Sequence, residues 1–150
     1  MISIRRILVP TDFSDCALSA VRYATELADK FAAELILLHI VPDAVLALPD
    51  AVMPTPTPVA DLDALTDAGK QGLANLITAE KLETRHPLAE VRIGSPAAEI
   101  IAAANDLHAD LICIGTHGRG GLARVFLGSV AEHVLRQSPC PVLTVRLKSH

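Results

Sequence analysis

The chain has 150 residues, of which 51% are hydrophobic and 20% charged, with a net charge of −4 at pH 7. That length can bury a core comfortably, and that composition argues against a disordered chain. The acidic balance argues against nonspecific nucleic-acid binding, which depends on basic surface. Aromatics make up only 3% of the residues, so Ala, Val, Ile and Leu must build the interior.

Met1–Pro10 holds too short an apolar run for the core of a signal peptide. The longest apolar stretch, Leu35–Val41, falls far below a membrane span and carries His39, so no membrane partner is expected. Cys16, Cys113 and Cys140 lack metal or redox spacing and read as small buried hydrophobes in a reducing compartment. The expected location is cytoplasmic. His86, His108, His133 and His150 show no metal-ligand spacing, and no metal site is assigned.

In chain order, Ile7-Leu8-Val9 predicts a short buried strand stopped by Pro10. Thr11-Asp12-Phe13-Ser14 turns the chain, with Ser14 placed to cap a helix. Ala17, Ala20, Val21, Ala24, Leu27, Ala28 and Phe31 then fall at helical spacing along one stripe. Leu35–Val41 predicts a second strand, apolar throughout rather than alternating, with His39 as a satisfied core histidine. Prolines at 42, 49, 54, 56 and 58 exclude a stable helix interior and mark a surface excursion over about 42–60.

A second helix is expected over roughly Asp61–Glu83, weakened at Gly69 and Gly72 by about 1 kcal/mol each relative to alanine. Leu88–Ile93 predicts the third strand. Gly94-Ser95-Pro96 opens a third helix, with Ser95 as its cap and Pro96 in its first position. Leu111–Ile114 is the fourth strand. A fourth helix starts at Ser129, whose spacing to Glu132 is that of a capping box. Pro139-Cys140-Pro141 ends it, and Val142–Val145 forms the fifth strand. Continuous apolar strands alternating with amphipathic helices predict one α/β domain spanning 1–150, a doubly wound open parallel sheet of five strands with helices on both faces. With the first strand central, the order is 3-2-1-4-5.

Ligands of such sheets bind beyond the carboxyl ends of the strands, where the winding reverses. That point brings Thr11-Asp12 opposite the stretch after the fourth strand, where Gly115, Gly118, Gly120 and Gly121 fall within seven residues. Strand, glycine-rich loop and helix N-terminus form an arrangement that lets backbone N–H groups hold a phosphate. Arg124, near the end of that loop, reads as a solvated charge.

The spacing Gly115-x2-Gly118-x9-Gly128-Ser129 resembles the nucleotide-binding pattern of the universal stress protein family, in its ATP-binding branch. The opening Val9-Pro10-Thr11-Asp12-Phe13-Ser14-Asp15 and the closing Ser138-Pro139-Cys140-Pro141-Val142-Leu143 are similar to it as well. The resemblance implies a fold like that of the adenine-nucleotide alpha-hydrolases and an adenine nucleotide as cofactor. That cofactor is ATP, or AMP or ADP, with Mg²⁺ or Mn²⁺ carried through the phosphates. It assigns Asp12 to the ribose or adenine end, Pro10, Thr11 and Val41 to the base pocket, and Ile114 to the same site. Gly115, His117, Gly118 and Arg119 would wrap the phosphates, with Gly128, Ser129 and Val130 holding them from the helix end. Arg119 offers a planar donor fork suited to phosphate oxygens.

The resemblance further implies a homodimer, paired through Val142, Leu143, Thr144 and Val145, and a role as a nucleotide-dependent regulator in the stress response. The competing expectation is a slow Mg²⁺-dependent ATPase. Efficient hydrolysis is disfavoured because the sequence has no G-x4-G-K-[ST] loop and no lysine in the glycine-rich stretch. A phospho-receiver would need an Asp ending the third strand, where Val91-Arg92-Ile93-Gly94 stands instead.

Overall fold

Ile7, Leu8 and Val9 are completely buried, which requires cover on both faces of their strand. The rest of the fold supplies that cover. In the computed structural model, which describes residues 1–43, 61–117 and 127–147, the elements follow the expected alternation. They are β1 (Arg6–Pro10), α1 (Asp15–Phe31), β2 (Glu34–Pro42), α2 (Leu62–Ala79), β3 (Leu88–Gly94), α3 (Pro96–Asp106), β4 (Leu111–Gly115), α4 (Ser129–Gln137) and β5 (Val142–Val145). The sheet is parallel, in the order β3-β2-β1-β4-β5. Apart from Pro42 and Asp43, the proline-rich stretch lies outside the described residues.

Register places Ile36, Leu8, Ile112 and Val142 in one row across four strands. That parity packs against α3 and α4 through Ala97, Ile100, Ala103, Ala104, Ala131 and Val134. The opposite parity, Ile7, Val9, Leu35, Leu37 and Cys113, packs against Ala20, Val21 and Ala24 of α1 and Leu73 of α2. Alanines on the inner helical faces bring the helices close to branched strand residues, so few aromatics are needed to fill the interior. Burial pushes the Cys113 thiol up to about 12, consistent with an inert packing role.

One helix end differs from expectation. Asp61 caps α2 by accepting from the N–H groups of Asp63 and Ala64, as a start there requires. The helix stops at Ala79, short of Glu83. Lys81 adopts the left-handed conformation (φ 56°), and the Leu82 N–H reaches back to the Ile77 carbonyl at 2.9 Å. That turn buries Leu82, which would face outward on a continued helix. Ala32 ends α1 in the same left-handed way (φ 51°), with the Ala33 N–H bonded to the Ala28 carbonyl at 2.9 Å.

Gly69 and Gly72 let α2 sit against two rings. A Cβ on Gly72 would stand 2.6 Å from Phe13 Cζ, and one on Gly69 would stand 2.9 Å from His39 Cδ2. Both separations are shorter than packed carbon atoms allow. Alanine and glycine therefore exchange with opposite signs at two positions. Gly72→Ala, although it favours the helix, is expected to destabilise the fold by about 1–3 kcal/mol through overpacking. Ala32→Gly is expected to stabilise it by about 0.5–1 kcal/mol by relieving the left-handed backbone. Urea unfolding midpoints of the two variants against the parent measure both effects.

Candidate functional site

The strands flanking β1 on its two sides are reached by connections that diverge, and the divergence leaves a crevice beyond Pro10 and Gly115. A cavity of about 450 Å³ occupies it. One wall is the β1–α1 turn, with Pro10, Thr11, Asp12 and Ala17; another is the end of β4 with the start of α4. The floor is apolar, formed by Leu38, Ile40, Pro42, Pro96, Ile100 and Ile114.

The turn is built by its own short polar side chains. Thr11 Oγ1 accepts from the Phe13 N–H at 3.0 Å, and Asp12 Oδ1 accepts from the Ser14 N–H at 2.9 Å. Ser14 Oγ caps α1 by accepting from the Ala17 N–H at 3.3 Å. Phe13 is forced into the left-handed region (φ 65°), a conformation that costs a bulky residue about 1–3 kcal/mol. Its ring stacks on His39, with centroids 4.6 Å apart and planes inclined by 32°. His39 is half-buried, and its Nδ1 lies 2.8 Å from the Thr11 carbonyl, which accounts for a histidine inside an apolar strand.

The opposite wall is held by the backbone of Thr116. Its carbonyl accepts from the Gly128 N–H at 2.6 Å, closing the neck between β4 and α4. The same oxygen lies 2.7 Å from His117 Nδ1, so that imidazole folds back on its own chain. The Thr116 N–H donates to the Val145 carbonyl at 2.9 Å, which Cys16 Sγ also approaches at 3.5 Å. Glycine is required at both joints. A Cβ on Gly115 would come within 3.0 Å of the Cys16 backbone, and one on Gly128 within 2.8 Å of the Thr116 carbonyl oxygen.

This clamp corrects the expectation for Ser129. Gly128 occupies the cap position and Ser129 is the first residue of α4, so no capping box forms with Glu132 and no side chain caps the helix. Among the described residues, the first-turn N–H groups of Ser129, Val130 and Ala131 thus have neither a side-chain cap nor an intrahelical partner. All three residues line the cavity. Such a helix start favours an anion. Asp12 is the sole carboxylate among the described lining residues, and it stands on the facing wall.

Of the residues assigned from the sequence, Pro10, Thr11, Asp12, Ile114, Gly115, His117, Gly128, Ser129 and Val130 meet around this cavity. The Val41 side chain does not. It is buried, while its neighbours Ile40 and Pro42 line the floor, because alternate strand residues face opposite sides of the sheet. Gly118 and Arg119 lie outside the described residues, as do Gly120, Gly121 and Arg124. Apart from Ile114, the floor residues escaped the sequence reading, as did Thr116. Their signal was the shared parity of Leu38 and Ile40 in β2, which places both on the α3 side.

Comparison with known proteins agrees with this architecture. Residues 3–146 match the model of the universal stress protein family. Universal stress protein MJ0531 of Methanocaldococcus jannaschii is 34% identical over 145 residues, covering 95% of this chain and 82% of that protein. Universal stress protein YxiE of Bacillus subtilis is 35% identical, covering 94% and 98%. The solved structure of hypothetical protein MJ0577 superposes with a TM-score of 0.80 at 29% identity, over 99% of this chain and 100% of that one. Two more distant solved universal stress proteins carry nucleotides. One is in complex with cAMP (23% identity, TM-score 0.61, 96% and 98% covered), and the other, from Archaeoglobus fulgidus, is in complex with dAMP (21%, 0.60, 97% and 99%). Matched along nearly its whole length in sequence and in fold, this chain belongs to the universal stress protein family.

Proposed function

We propose that the chain binds an adenine nucleotide, ATP above all, in the crevice between β1 and β4, and acts as a nucleotide-dependent regulator in the stress response of the cytoplasm. The observation that carries this reading is the pairing of an apolar floor with an uncapped helix start across one cavity. A flat base suits the first and an anion the second, so the site fits a ligand with an apolar end and a phosphate end. Its volume falls in the range of cofactor sites. The cAMP and dAMP complexes of the distant relatives support an adenine ligand.

In this reading the base rests against Leu38, Ile40 and Ile100, and Asp12 accepts from ribose hydroxyls. The first turn of α4 meets the phosphates. Gly118 and Arg119, assigned from the sequence, belong to the same end. Mg²⁺ or Mn²⁺ would bind through phosphate oxygens. Calorimetric titration with ATP, ADP, AMP and cyclic AMP, with and without Mg²⁺, tests the reading. Asp12→Asn keeps an oxygen for the Ser14 N–H but loses the charge, and it is expected to weaken ATP binding about ten- to hundredfold. Absence of binding by the parent protein sinks the nucleotide assignment, and equal affinity of the two proteins removes Asp12 from the site.

The same reading includes a homodimer. β5 lies at the end of the strand order, and Val142, Leu143 and Thr144 are only half-buried, which leaves an apolar edge able to pair with a second copy through Val142–Val145. Leu143→Lys is expected to give monomers in sedimentation velocity. Unchanged sedimentation refutes this interface.

A further inference from the structure

The Asp12 turn is held from the side of the sheet facing away from the cavity. Leu38 and Ile40 line the cavity, whereas His39 between them faces α1 and α2. The β1–β2 ladder ends where the Thr11 N–H donates to the Leu38 carbonyl at 2.8 Å. The Thr11 carbonyl is then met by His39 Nδ1 at 2.8 Å. A carbonyl can only accept, so the proton of this bond resides on Nδ1. Thr11 Oγ1 and Asp12 Oδ1 in turn fix the N–H groups of Phe13 and Ser14.

We propose that His39 is a positioning residue for the ligand site: by donating from Nδ1 to the Thr11 carbonyl, it sets where the turn presents Asp12 to the nucleotide. This inference rests on the nucleotide reading above. Space filling does not explain the residue. Leu or Ile would fill a buried strand position without a polar ring, and the flanking residues of β2 are of that type. The Phe13 ring and Gly69 both lie close against the imidazole, which restricts it to the orientation that aims Nδ1 at Thr11. The strained backbone of Phe13 persists for the same reason, since it brings the ring onto His39.

Two substitutions separate the hydrogen bond from the packing. His39→Asn keeps an N–H near the place of Nδ1 and removes the ring, whereas His39→Phe keeps a ring and removes the donor. Two measurements read them: amide hydrogen exchange at Phe13 and Ser14 without nucleotide, and calorimetric affinity for ATP. In His39→Phe, exchange at those two amides is expected to rise about tenfold while Ile7–Val9 keep their protection, and ATP binding is expected to weaken about tenfold. His39→Asn is expected to stay within about threefold of the parent in both. Unchanged exchange in His39→Phe overturns the proposal whether or not ATP binds, and so does His39→Asn failing as badly as His39→Phe. If the two variants show these exchange rates but the parent binds no nucleotide, the nucleotide reading fails while the role of His39 in holding the turn stands.

Discussion

A strand buried on both faces cannot alternate polar and apolar residues, and β1 obeys that constraint from Ile7 to Pro10. Its two faces must be covered by helices, and its two edges must be bonded to β2 and β4. Connections that leave in opposite directions to satisfy both edges open a gap at the carboxyl end of the strand. The crevice is therefore a by-product of burying Ile7, Leu8 and Val9. Evolution needed only to furnish its walls.

The walls are furnished mainly by backbone. The Thr116 carbonyl ties the neck of the glycine-rich loop to Gly128, and the Thr116 N–H ties it to Val145. On the facing side, Thr11, Asp12 and Ser14 each spend a side-chain oxygen on a nearby N–H to shape the turn. Glycine appears where two backbones touch, at Gly115 and Gly128, and where a helix meets rings, at Gly69 and Gly72. Small residues here set distances between elements more than they confer freedom.

How much of this was legible depended on the range of each interaction. The parallel, doubly covered sheet followed from continuous apolar runs, and the Ser14 cap followed from local spacing. The Ser129 cap was misread because the residue before it is held by a carbonyl twelve positions upstream, which local spacing cannot show. The end of α2 was misread because Lys81, an ordinary helix former, takes a backbone shape usually marked by glycine so that Leu82 can be buried. Gly69 and Gly72 looked like weaknesses in a helix until their ring partners, Phe13 and His39, came from other elements. The two turns of the site were visible in the sequence. Most of its floor, Ile114 apart, was not, because Leu38 and Ile40 look like any other core residues until their face of the sheet is known.

The Val145 carbonyl belongs at once to the edge strand and to the rim of the crevice, since Thr116 N–H and Cys16 Sγ both converge on it. Side chains along β5 can be exchanged freely only while that oxygen keeps its place. A protein engineer who grafts a foreign fifth strand onto this scaffold would have to preserve the strand's final register. A slip of one residue would move the oxygen away and loosen the rim from a distance. The edge of the sheet and the rim of the crevice are in that sense drafted on the same peptide unit.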